Sequence, residues 1–201
     1  MSSLDMGLGK TIQSIASMAV YRNEWPLLVL TPSTARFHWE SEFLNWLGKD
    51  SDVNTGENGE EHDPTLLDKS SINVLTSGND PILPNERTKV VICSYGLIAK
   101  LVECGQIYPR QFTCAIVDES HMLKNKNAKR TAALMPVLNA TDRCILLSGT
   151  PALARPMELW PQLFILGTEK HGWWNDESDF VRKYGKNPSA GRKAELHTLL
   201  T

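Results

Sequence analysis

Met6-Gly7-Leu8-Gly9-Lys10-Thr11 runs directly into Ile12-Gln13-Ser14-Ile15-Ala16, so a glycine-rich turn opens onto a helix-like apolar pattern. Glycines let a backbone approach a polyphosphate closely, and the N–H groups at a helix start point toward it. In such a loop Lys10 is expected to reach the β- and γ-phosphates, and the Thr11 hydroxyl to bind magnesium. One feature departs from the usual phosphate-loop pattern: Leu4 stands where a glycine is expected.

A second stretch, Cys114-Ala115-Ile116-Val117-Asp118-Glu119-Ser120-His121, is an apolar strand ending in two acids. A carboxylate there can hold magnesium, directly or through water, and its neighbour can orient and deprotonate an attacking water. Asp118 takes the first role and Glu119 the second. Two acids ending a buried strand are common by themselves; a phosphate loop upstream gives them meaning. A third stretch, Leu146-Leu147-Ser148-Gly149-Thr150-Pro151, ends a strand in hydroxyl side chains that could sense a γ-phosphate. Taken alone it reads equally well as a turn.

Around these motifs, short β-rich runs alternate with helical patterns. Leu27–Leu30, Ile72–Leu75, Val90–Cys93, Cys114–Val117 and Cys144–Leu147 read as buried strands of a mostly parallel sheet. Thr11–Tyr21, Ala35–Leu47, Leu97–Cys104 and Lys129–Leu138 read as helices, the second with an apolar face of Phe37, Phe43, Leu44 and Leu47. The alternation implies an α/β, doubly wound sheet with helices on both faces and ligands at the carboxyl ends of its strands. Residues 49–64 are polar and acidic and read as a disordered surface insertion. The expected division is a nucleotide-binding lobe over 1–156 and a helical extension over 157–201.

Composition narrows the field without deciding it. Hydrophobic content of 41% and charged content of 22% are ordinary for a globular protein. The longest apolar runs, such as Leu27–Leu30, are too short for a membrane-spanning helix. Cys93, Cys104, Cys114 and Cys144 lack C-x-x-C spacing, so reduced thiols are expected in place of a metal site. A net charge of −2 is neutral on nucleic-acid binding, because six acids fall between Asp50 and Asp63. Lys124, Lys126, Lys129 and Arg130 form a basic cluster that suits a DNA path or a solvated face equally well. No Asn-Lys-x-Asp guanine-reading motif occurs, which disfavours a GTPase.

In their order and spacing, the motifs resemble the SWI/SNF-type branch of the superfamily 2 helicase-like ATPases over nearly the whole chain. Asp5-Met6-Gly7-Leu8-Gly9-Lys10-Thr11 is similar to motif I, Asp118-Glu119-Ser120-His121 to motif II, and Ser148-Gly149-Thr150-Pro151 to motif III. Thr31-Pro32-Ser33 with Phe37-His38-Trp39-Glu40 resembles motif Ia, and Ser94-Tyr95-Gly96-Leu97 resembles motif Ib. Glu24-Trp25-Pro26-Leu27-Leu28 and Gly149-Thr150-Pro151-Ala152-Leu153-Ala154-Arg155-Pro156 look most like the annealing-helicase group, which remodels stalled forks.

The resemblance implies a RecA-like, P-loop NTPase lobe that uses ATP and Mg2+, with Asp5 to Thr11 holding the nucleotide. It implies strand contacts at Ser33, Arg36, Ser94 and Tyr95, and coupling through His121, Ser148 and Thr150. Expected partners are DNA, forked or at single-strand/double-strand junctions, a second RecA-like lobe, and replication or repair factors, in the nucleus. The family's strand before the phosphate loop and its arginine-bearing second lobe find no counterpart in the sequence, so a poorly active fragment is expected. A non-catalytic DNA- or partner-binding remnant and a chromatin-remodelling lobe remain as alternatives.

Overall fold

The computed structural model describes residues 9–48, 66–82, 88–149, 156–167, 176–185 and 188–200. The expected acidic insertion therefore lies outside the described residues. Helix α1 spans Lys10–Ala19, strand β1 Leu27–Thr31, helix α2 Arg36–Leu47, strand β2 Ile72–Val74 and strand β3 Val90–Ser94. Helix α3 (Tyr95–Glu103), strand β4 (Cys114–Val117), helix α4 (Lys129–Asn139) and strand β5 (Arg143–Leu146) follow. Helices α5 (Trp160–Ile165), α6 (Glu177–Tyr184) and α7 (Ala190–Leu200) complete the described chain.

The strands form one sheet in the order β2-β3-β1-β4-β5, and every pairing is parallel. Parallel neighbours need crossovers; α2 lies between β1 and β2, α3 between β3 and β4, and α4 between β4 and β5. Because strand side chains alternate faces, each strand feeds two cores. Leu28, Leu30, Val91, Cys93, Ala115 and Val117 pack on one face, against Ile98 and Leu101 of α3 and Leu134 and Leu138 of α4. Leu27, Val29, Val90, Ile92 and Ile116 pack on the other, against Ile15 and Met18 of α1 and Trp39 and Phe43 of α2. The expected doubly wound α/β architecture is what the chain forms.

The buried stripe of α2 differs from the sequence reading. Trp39 and Phe43 are buried, whereas Phe37 is 56% exposed. At 3.6 residues per turn, Trp39, Phe43 and Leu47 stack on one side, and Phe37 sits about half a turn away from Trp39. The Phe37 assignment is corrected accordingly.

Beyond β5, Leu159, Trp160, Leu163, Phe180, Tyr184 and Leu196 build a third cluster, with Trp160 and Phe180 ring centroids 5.6 Å apart. Ile165 reaches instead into the main core, so α5 joins this cluster to the sheet. Among the described residues β5 pairs on one side only, with β4. A cleft of about 490 Å³ lies there, between Met18 of α1, Tyr21 just beyond it, Ile145 of β5 and Ile165 of α5. No described helix is long and apolar enough to cross a membrane.

Candidate functional site

Strands β1, β3, β4 and β5 all end on one edge of the sheet, and their last residues hand the chain to Pro32, Tyr95, Asp118 and Leu147. At the same edge α1 begins. Its first residue, Lys10, extends Nζ to 3.4 Å from the carbonyl oxygen of Ser148, across 138 residues of chain. This contact brings the phosphate-loop lysine to the strand carrying the third motif.

Gly9 precedes α1 in the left-handed region, with φ 69° and ψ 33°. A β-carbon there would meet Ile12 Cγ2 at 3.1 Å and would be strained by the backbone besides. Among the described residues no side chain caps this helix start, and no acid lies in its first turn. The start of a helix carries partial positive charge, which suits an anion. Asp5, Met6, Gly7 and Leu8 lie outside the described residues, as does Thr150.

Asp118 is the most connected side chain of the site. Its Oδ2 accepts from the Thr31 hydroxyl and from the Trp39 indole N–H, both at 3.0 Å. Its Oδ1 accepts from the backbone N–H of Glu119 at 3.0 Å. Its own N–H continues the ladder to Leu30 O at 2.8 Å, and its carbonyl accepts from the Tyr95 hydroxyl. The carboxylate is therefore fixed in one orientation by three elements, β1, α2 and its own turn.

Glu119 adopts φ 49° and ψ 48°, a left-handed conformation uncommon outside glycine and asparagine. Such strain persists only where surrounding bonds impose it. Here the Ser120 N–H donates to Leu147 O at 2.8 Å, and the Leu147 N–H donates to Val117 O at 2.8 Å, which ties the second motif to the third. The bend leaves the Glu119 side chain 41% exposed and places its Oε2 3.0 Å from His121 Nδ1. His121, expected to couple toward Ser148 and Thr150, is thus placed against Glu119. The link between the motifs runs through the Ser120 and Leu147 backbone and through Lys10.

The strand-contact candidates separate by environment. Ser33 is exposed, and Ser94 is half-buried at the start of α3. Arg36 is half-buried: its Nε donates to Ser33 O at 3.1 Å and its Nη1 to Leu75 O at 2.5 Å. Tyr95 is only 2% exposed, and burial pushes its phenol well above the ordinary value, with the nearby Asp118 charge adding to the effect. Its hydroxyl donates to the Asp118 carbonyl. The basic cluster is largely committed to neighbours. Lys124 pairs with Glu158 at 3.8 Å, Lys126 pairs with Glu177, and Arg130 donates to Met122 O while covering the Tyr95 ring.

The sequence places Thr31 and Trp39 within the motif Ia likeness without marking either as a site residue, and it does not mark Gln162 at all. Gln162, on α5, is 1% exposed and accepts from the Ser120 hydroxyl at 3.0 Å, while its Nε2 finds no acceptor among the described residues. In sequence a tryptophan in an amphipathic helix reads as core, and nothing in Trp160-Pro161-Gln162 marks the glutamine as reaching the second motif. No group of acids, histidines and cysteines that could hold a metal by itself occurs among the described residues.

Comparison with known proteins gives this arrangement a family. A profile of the SNF2-related domain matches residues 3–201. The chain is 35% identical over 209 residues to the human DNA annealing helicase and endonuclease ZRANB3, covering 98% of this chain and 18% of that protein. It is 44% identical over 159 residues to the bovine SWI/SNF-related matrix-associated actin-dependent regulator of chromatin subfamily A-like protein 1, covering 79% of this chain and 14% of that one. The chain thus spans less than a fifth of either relative's length. Among solved structures, the Sulfolobus solfataricus SWI2/SNF2 ATPase core in complex with dsDNA shares the fold, with a TM-score of 0.65 at 20% identity over 97% of this chain and 37% of that one.

Proposed function

The chain belongs to the SNF2-related domain family, and on that premise we propose that it is the ATP-binding lobe of a DNA-dependent ATPase. Its longer parent would translocate on DNA and remodel or anneal strands at stalled replication forks. The observation carrying this reading is the convergence of Lys10, Ser148 and Asp118 at one sheet edge, beside the start of α1.

The residues present fit a magnesium-bound triphosphate. Gly9 offers backbone where a β-carbon would be strained, and the start of α1 offers N–H donors and positive potential to phosphate oxygens. Lys10 would exchange or share its Ser148 carbonyl contact with the β- and γ-phosphates. Magnesium, when bound, would neutralise charge on those phosphates; Thr11 and Asp118 are the residues to hold it, with Asp118 already oriented by Thr31 and Trp39. Glu119, half-exposed beside them, would accept the proton of the attacking water at a carboxylate oxygen, and His121 Nδ1 stands 3.0 Å from its Oε2.

Ser33, Arg36 and Ser94 would face the tracked strand, with buried Tyr95 holding the Asp118 carbonyl. The relatives' names, a DNA annealing helicase and a regulator of chromatin, support DNA as partner and the nucleus as location. Forked or junction DNA, replication or repair factors and a second RecA-like lobe complete the proposal. Arginines from such a lobe typically contribute on the order of 10³–10⁵ in rate, so this chain alone is expected to bind Mg2+·ATP weakly and turn it over negligibly. A steady-state phosphate-release assay with and without duplex DNA tests this: robust DNA-stimulated hydrolysis by the chain alone contradicts the need for a second lobe.

A further inference from the structure

The Asp118 carboxylate is held from a direction that the strand-contact motif controls. Both donors to its Oδ2 flank one short turn. Thr31 is the last residue of β1, the turn occupies Ser33–Ala35, and Trp39 lies in the first turns of α2. Between them stand Ser33 and Arg36, and the Arg36 guanidinium pins the turn to Leu75 O. Trp39 is 1% exposed, and its indole N–H, which needs a partner when buried, spends that donor on a carboxylate 79 residues away.

We infer that Trp39 and Thr31 are positioning residues that lock the Asp118 carboxylate for metal and make its orientation follow the Pro32–Arg36 turn. The inference rests on the nucleotide reading above and adds to it. A carboxylate offers about four lone-pair sites; two on Oδ2 are taken by Thr31 and Trp39, and one on Oδ1 by the Glu119 N–H. The remaining acceptor site is on Oδ1, so the metal or its water approaches that oxygen. Contact on Ser33 that shifts the turn displaces both Oδ2 donors together and rotates Oδ1. A strand bound at the first surface is thereby read at the hydrolytic centre without any change in Lys10.

The test uses the 201-residue chain, Mn2+ as the probe and ADP as nucleotide, with metal affinity followed by electron paramagnetic resonance. Thr31→Val removes one donor at nearly constant volume and Trp39→Phe removes the other together with part of the ring, and each is expected to weaken Mn2+ binding about tenfold, the scale of outer-shell effects on metal sites. Thr31→Ser keeps the hydroxyl and is expected to bind as the wild type does, which separates a positioning role from packing and keeps the test informative if Trp39→Phe folds poorly. In a chain carrying ¹⁵N-indole tryptophan, the resonance lost in Trp39→Phe is expected to shift in Asp118→Asn and on adding Mg2+ with ADP. Wild-type affinity in both Thr31→Val and Trp39→Phe, or an indole resonance indifferent to Asp118→Asn, overturns the inference while leaving nucleotide binding intact. Failure of the wild type to bind Mn2+ with ADP overturns the nucleotide reading and this inference with it.

Discussion

The Ser120 hydroxyl donates to Gln162 Oε1 at 3.0 Å, both residues fully buried, so the turn carrying Glu119 is fastened to helix α5. Removing one partner strands the other away from water, which typically costs about 1–3 kcal/mol. Ser120→Ala is therefore expected to lower stability by about that amount. Gln162→Met removes both the acceptor and an amide nitrogen that already lacks a partner, so the double variant should cost less than the sum of the singles. Urea denaturation of all four proteins checks this; additive losses would contradict the bond.

Tyr95 and Asp118 make the next case. The Tyr95 hydroxyl donates to the Asp118 carbonyl from a site 2% exposed. Tyr95→Phe is expected to cost about 1–2 kcal/mol, read as a lower thermal midpoint. If Tyr95 instead met DNA directly, the substitution would weaken DNA binding with stability unchanged.

The thiols separate by burial. Cys104 is exposed, whereas Cys93 is buried and desolvation pushes its thiol from 9.0 up to about 12. Near pH 8, Ellman's reagent should label Cys104 readily and leave Cys93 untouched until the chain unfolds. Between about 9 and 12 the folded state keeps the Cys93 proton that the unfolded state has released. Stability fully present below pH 9 is accordingly lost as pH rises through that window. Cys93→Ala should flatten part of the alkaline decline, and an unchanged decline would contradict the assignment.

Much of this architecture was legible because its signals were local. Strand Cys114–Val117 coincided with the sequence reading, β1, β2 and β3 moved by a single residue at one end, and β5 shifted by one residue, since buried parallel strands announce themselves as apolar runs. The helix starts were harder. Helix α3 begins at Tyr95, two residues before Leu97, because Tyr95 and Gly96 carry no helix signal of their own. The roles of Trp39 and Gln162 were illegible for a different reason. Each depends on a partner 79 or 42 residues away, and no local pattern encodes a hydrogen bond between elements so far apart in the chain. His121 lies in a recognisable motif, and its Nδ1 stands 3.0 Å from Glu119 Oε2.

Lys10 and the sheet edge around Ser148 and Asp118 are proposed to form a nucleotide site. Calorimetric titration of ADP with Mg2+ into the wild-type chain and Lys10→Ala tests it most directly. Measurable, Mg2+-dependent binding that falls at least about tenfold in Lys10→Ala, the scale expected for losing a charged hydrogen bond, is the predicted result. Equal binding by the two proteins, or none by the wild type, would contradict it.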